Sequence, residues 1–241
     1  MKCLLNLIVF LLMSHMPVEA ADGPSPKPMI GNIPARRVLY LGNSITLHGP
    51  APAIGWTGNW GMAASAKEKD YVHLLSTEIA KATGAKPEIK VRNIADFERG
   101  YDAFDIEKEL KAELDFHPDL VIVAIGENVA ELANEEARDK FAAAFAKLLS
   151  VLKEHGQPTI FVRSSFWPHE IKDGILRKAS ANAGITFVDI VKVGRDPSNA
   201  ARSEREIEHA GVAAHPGDKG MKAIADEMFT AIRRIGGLAE K

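Results

Sequence analysis

Apolar residues in this chain fall into short unbroken runs separated by longer stretches of helical spacing. Arg37-Val38-Leu39-Tyr40-Leu41 stops abruptly at Gly42-Asn43-Ser44, which reads as a buried strand whose carboxyl end spills into a loop. Leu120 to Ile125 is the most continuous apolar run, and it too finishes in glycine and polar residues, Gly126-Glu127-Asn128. Runs without alternation indicate strands covered on both faces, as in a parallel sheet. Further strands are expected over 88–92, 159–163 and 186–190. Between them the pattern shifts to helical spacing. Residues 63–83 place Val72, Leu75, Ile79 and Ala82 on one face and close at Gly84, the position expected just past a helix end. Asp70 to His73 read as solvent-facing turns within that helix. Helices are also expected over 103–116, 134–155, 171–183 and 218–235, with 93–100 a polar loop. Asp218, after His215-Pro216-Gly217, reads as the N-cap of the last helix. Strands alternating with helices predict an α/β chain, a three-layer α/β/α sandwich with a mainly parallel central sheet. The long connection at 47–61 has no regular pattern, and loops of that length border sites more often than not.

The first twenty residues stand apart. Lys2 precedes an apolar run from Leu4 to Met13, and Val18-Glu19-Ala20 offers small residues where a signal peptidase reads. The run is too short for a membrane span of about twenty residues. Residues 1–20 therefore read as a cleaved signal peptide, with an uncleaved anchor as the alternative, and the protein as secreted or periplasmic. Four prolines in 21–35 suggest an extended linker, leaving 36–241 as the folded domain. The one cysteine, Cys3, lies in the leader, so the mature chain has no disulfide or thiolate chemistry. A net charge of −2 lacks the basic footprint of a nucleic-acid binder.

Three groups of chemistry-bearing residues fall at strand ends or at the start of the last helix: Asn43-Ser44, Glu127-Asn128 and His215-Pro216. A hydrolase needs a hydroxyl nucleophile, a base within hydrogen-bond reach and donors aimed at the oxygen that becomes negative. Serine, histidine and asparagine supply those parts, although each alone also suits a turn. Trp56 and Trp60 could form a stacking surface for substrate, as could Trp167, or they could anchor the loops in which they stand. The remaining histidines lack the paired spacing with carboxylates that marks a metal site. No metal or cofactor is expected.

In this order the motifs resemble those of the SGNH hydrolase superfamily, the GDSL-like esterases and lipases, over about residues 37–221. The first block is present as Gly42-Asn43-Ser44-Ile45-Thr46, a variant of Gly-Asp-Ser. The second is matched by Asn93 with Gly100, the third by Gly126-Glu127-Asn128-Val129 and the fifth by Val212-Ala213-Ala214-His215-Pro216. The resemblance implies a flavodoxin-like sandwich, with Ser44 as nucleophile and His215 as base. Ser44, Gly100 and Asn128 would form the oxyanion hole. The aspartate that usually stands three residues before the histidine is Val212 here. His215 is then expected to lean on a backbone carbonyl, with a carboxylate from elsewhere in the chain as the second choice. The implied activity is hydrolysis of a small-molecule or glycan ester without a cofactor, plausibly deacetylation of a carbohydrate. The alternative is a non-catalytic carbohydrate-binding protein on the same fold.

Overall fold

A computed structural model describes residues 28–238, so the expected signal peptide and residues 21–27 lie outside the described residues. The fold begins earlier than composition suggested. Strands β1 (Met29–Ile30) and β2 (Ile33–Pro34) pair antiparallel, and Ile30 and Ile33 are buried in the main core. Gly31 turns the hairpin at φ +58°, where a side chain has no room because its Cβ would collide with the Gly236 carbonyl. The prolines drew attention from the competing signal, two isoleucines flanking Gly31-Asn32, which is a hairpin pattern.

The central sheet consists of β3 (Arg37–Gly42), β4 (Glu88–Asn93), β5 (Leu120–Ala124), β6 (Thr159–Arg163) and β7 (Thr186–Val188). All are parallel, in the order β4-β3-β5-β6-β7. Gly42 stands opposite both Asn93 and Ala124, so three strands end level and their loops emerge side by side. The order of winding reverses between β3 and β5, with β4 to one side and β6 and β7 to the other, and open α/β sheets bind ligands in the crevice outside such a switch point.

The helices are α1 (Tyr71–Thr83), α2 (Ala95–Gly100), α3 (Ile106–Glu109), α4 (Lys111–Leu114), α5 (Glu135–Glu154), α6 (Glu170–Asn182), α7 (Val191–Arg195), α8 (Ala210–Ala214) and α9 (Asp218–Ile235). Strand side chains alternate between two cores. Val38, Tyr40, Leu120 and Ile122 pack with α1 and α9, while Leu39, Leu41, Val121 and Val123 pack with α5 and α6. This is the expected three-layer sandwich.

Several local expectations change. The first helix starts at Tyr71, not 63, because Asp70 caps it: one carboxylate oxygen accepts from His73 N at 2.8 Å and the other from Gly61 N at 3.1 Å. Asp70 is thus fully buried and ties the long connection to α1, where a solvent-facing turn was expected. The polar loop at 93–100 contains α2, and the helix expected over 103–116 is divided into α3 and α4 by Leu110 at φ −107°, ψ 15°. Asp218 is not the N-cap of α9; Gly217 is. Glu204 reaches in to accept from Asp218 N at 2.8 Å and Lys219 N at 2.7 Å. The Asp218 carboxylate instead holds Ser65 and Lys69.

Because Ile30 is fully buried, Ile30→Ala is expected to cost about 2–4 kcal/mol in urea unfolding. A linker residue would cost nothing measurable.

Candidate active site

The turn after β3 carries Ser44, and Asn43 builds that turn. Asn43 O accepts from Thr46 N and Leu47 N, both at 2.9 Å, and its side-chain oxygen accepts from Ile45 N at 3.2 Å. Gly42 leaves no space for a side chain, since a Cβ would collide with the Thr46 side chain. Ser44 is thereby presented at the mouth of the switch point.

His215 arrives from the other end of the chain. The short helix α8, which the sequence pattern did not reveal, ends at Ala214 with His215 as its C-cap. The Ser44 Oγ and His215 Nε2 are 2.8 Å apart, and His215 Nδ1 is 2.7 Å from the Gly211 carbonyl oxygen. A carbonyl only accepts, so Nδ1 carries the proton and Nε2 offers its lone pair to the Ser44 hydroxyl. Burial holds His215 below the ordinary histidine pKa of 6.5. The hydrogen bond to Gly211 and the charge of Glu127 work against that shift, and His48 and His209 add to it. The imidazole is therefore the neutral, basic form at neutral pH. Val212, where the resemblance would put an aspartate, packs its side chain into an apolar cluster with Trp56, Met62, Ala63 and Ala201.

Asn128 follows β5 across the switch point and lines the same cleft of about 440 Å³ as Ser44, His48, Asn93, Arg99 and His215. Its Nδ2 donates to Glu98 at 2.7 Å and its Oδ1 accepts from Arg99 at 3.2 Å. A larger hollow of about 1010 Å³ lies on the outer face between α5 and α6, but no histidine lines it.

Other expected residues fall elsewhere. Gly100 is the last residue of α2 and is not part of the cleft lining, which Asn93, Ala95, Asp96 and Arg99 supply from this segment. The loosely patterned 93–100 stretch hid a helix that carries Gly100 past the site. Trp56 and Trp60 stack edge to face at 5.6 Å and donate their indole N–H groups to His48 O and Ala64 O. They anchor the long connection and do not line the cleft. Trp167 is the indole beside the Ser44–His215 pair, edge to face with the His215 ring at 5.0 Å and 38% exposed.

Beneath the site lies a buried polar network that the sequence reading missed. Glu127 accepts from Arg163 Nη1 at 2.7 Å, Phe166 N at 2.8 Å and Asn43 Nδ2 at 2.6 Å. Asn43 Nδ2 also reaches Glu98 at 3.3 Å. Burial pushes the Glu127 carboxyl up, but the Arg163 guanidinium and the three donors outweigh it and hold the pKa below its ordinary value. Glu98 is shifted the other way, by burial first and then by the Glu127 charge. The available signal was weak: a charged residue inside each motif, in a position that turns also favour.

No family model matches the chain, and no curated protein matches it by sequence. Solved structures do match. The acetyl xylan esterase AlAXEase superposes with a TM-score of 0.53 at 18% identity, over 81% of this chain and 98% of its own. A protein described as a GDSL-like lipase, from Bacteroides uniformis ATCC 8492, gives 0.52 at 15% identity, over 83% and 97%. This chain has the SGNH/GDSL hydrolase fold. A family two carbohydrate esterase from Cellvibrio japonicus carries the same fold at 0.52 and 17% identity, with 85% of this chain matching 62% of that one. At such identities the likeness speaks for the SGNH fold, and chemistry has to be argued from the site.

In the SGNH fold of this chain the Arg163–Glu127 pair is wholly interior, with side chains 0% and 2% exposed. Arg163→Met, which strands the carboxylate, is expected to cost about 3–5 kcal/mol in urea unfolding at neutral pH. A depressed carboxyl pKa contributes stability above the ordinary value of 4.5 and loses it as pH falls through the lower folded value. The gap between wild type and variant should accordingly shrink in acid. An unchanged gap would show that the pair does not set Glu127's charge.

Proposed function

We propose that this chain is a serine esterase, acting outside the cytoplasm, that removes an acyl group, acetyl from a carbohydrate foremost, through an acyl-enzyme on Ser44. The observation that carries the reading is the 2.8 Å contact between Ser44 Oγ and a His215 ring whose other nitrogen is already committed to Gly211. His215 takes the Ser44 proton as Oγ adds to the ester carbonyl. The resulting oxyanion is held by the Ser44 backbone N–H and by Asn128 Nδ2, aimed where charge develops. His215 then returns the proton to the departing alcohol, and water repeats the sequence to free the acid. The names of the structural neighbours, acetyl xylan and family two carbohydrate esterases, support acetylated glycans as the substrate class.

A neutral carbonyl stabilises an imidazolium less than a carboxylate does, so acylation is slower than in a full triad. The rival reading, a glycan-binding protein without catalysis, drew on the missing aspartate and on Trp56 and Trp60. It loses support because His215 is oriented without an aspartate and both indoles are committed to loop packing.

A fluorophosphonate probe should label Ser44, and Ser44→Ala should lose both the label and at least about a thousandfold in kcat on p-nitrophenyl acetate. Labelling that persists in the variant would refute the assignment. The reaction needs neutral His215, so kcat/KM should rise with pH through a value below 6.5 and be flat by neutrality. A midpoint above 6.5 would contradict a buried base held by a carbonyl.

A further inference from the structure

The catalytic scheme gives no task to Glu98. Glu98 projects from α2 beneath the cleft and is fully buried. Its Oε1 accepts from Gly126 N at 2.7 Å, Asn128 N at 3.1 Å and Asn43 Nδ2 at 3.3 Å, and its Oε2 accepts from Asn128 Nδ2 at 2.7 Å. Every donor belongs to the loops that end β3 and β5. A buried carboxylate is costly unless such donors match its lone pairs, so its retention ties both loops to one point.

The two ends of an asparagine amide are told apart only by their partners. At Asn128 the partners leave no choice. A carboxylate accepts, so the nitrogen end faces Glu98; a guanidinium donates, so the oxygen end faces Arg99. Two consecutive residues of α2 thus grip opposite ends of one amide. One of the two Nδ2 hydrogens is spent on Glu98, and the other remains for the cleft.

We infer that Glu98 is a positioning residue for the oxyanion hole, holding the Asn128 amide with its nitrogen inward and its second N–H free for the substrate oxygen. The inference rests on the reading of Asn128 as an oxyanion donor. It also assigns a role to Arg99, which secures the same orientation from the other side.

Glu98→Gln probes this at nearly constant shape. The glutamine oxygen can still take the three donors at Oε1, but its amide nitrogen then confronts Asn128 Nδ2, donor against donor. Relief comes from turning the Asn128 amide over, which puts an acceptor where the oxyanion donor stood. With p-nitrophenyl acetate, kcat is expected to fall about a hundredfold with KM little changed, close to the effect of Asn128→Ala. The double variant Glu98→Gln/Asn128→Ala should be no slower than Asn128→Ala alone, because Glu98 acts through that amide. Wild-type kcat in Glu98→Gln, or losses that multiply in the double variant, would overturn the inference. Wild-type protein that neither turns over the ester nor labels at Ser44 would instead overturn the esterase reading. If Glu98→Gln fails to fold, NMR of wild type labelled with nitrogen-15 asparagine still decides. One Asn128 side-chain proton should exchange with water much more slowly than the other, and equal exchange would sink the proposal.

Discussion

The ion pair between Arg163 and Glu127 underlies everything the cleft does. It sits at the end of β6 and the start of the loop after β5, with both side chains essentially inaccessible. Removing two charges from water is expensive, and the attraction between them offsets that only with good geometry and full hydrogen bonding. Glu127 has both: its two oxygens take a guanidinium, a backbone N–H and the Asn43 amide. Asn43 in turn forms the turn that presents Ser44. A charge on β6 therefore reaches Ser44 through two side chains, and the loops after β3, β5 and β6 keep their relative positions because the buried groups would otherwise be unpaired.

His215 is held by much less. His215 has a backbone carbonyl behind it, and the neighbouring position that could have supplied a carboxylate is filled by Val212 as part of the apolar cluster under the long connection. The two features belong together. Val212 packs against Trp56 and Met62, which fixes α8 and so directs the Gly211 carbonyl at Nδ1. Orientation of the ring is thus retained through packing while the electrostatic help of a triad acid is absent. Glu127 favours the imidazolium through its charge, but it touches neither nitrogen.

Much of this was legible in the residues themselves. The runs at 37–42 and 120–124 and the helix from Asp218 announced the sandwich because period and burial agree there. Ser44, Asn128 and His215 each stood at a boundary between elements, and the fold brings them to one cleft. What stayed hidden depended on contacts remote in sequence. Gly100 was read as a loop glycine because 93–100 is rich in polar residues, yet Phe97 and Glu98 are buried there and make it a helix. Trp56 and Trp60 read equally as a substrate surface or as loop anchors, since nothing local reveals that His48 O and Ala64 O receive their N–H groups. Asp70 reads from the sequence as solvent-facing inside the first helix, and Asp218 as the N-cap of the last. Their carboxylates instead tie Gly61 and Ser65, residues of the loop that walls the site.

The two sides of the cleft are accordingly built to different standards, and the acyl transfer proposed for this site accounts for the difference. Electrostatic stabilisation of the oxyanion is usually the largest single contribution to such catalysis, and it requires donors that do not reorganise when charge develops. Rigid donors need a rigid support, which in a sheet crevice means buried polar groups hydrogen-bonded to one another. The proton shuttle tolerates more freedom, because His215 needs only the right tautomer and a short path to Ser44. Four buried or half-buried polar residues, Asn43, Glu98, Glu127 and Arg163, surround the donor side, whereas one carbonyl oxygen orients the base. A site arranged in this way keeps the part of the machinery that must be stiff and dispenses with the part whose loss slows the reaction without abolishing its geometry.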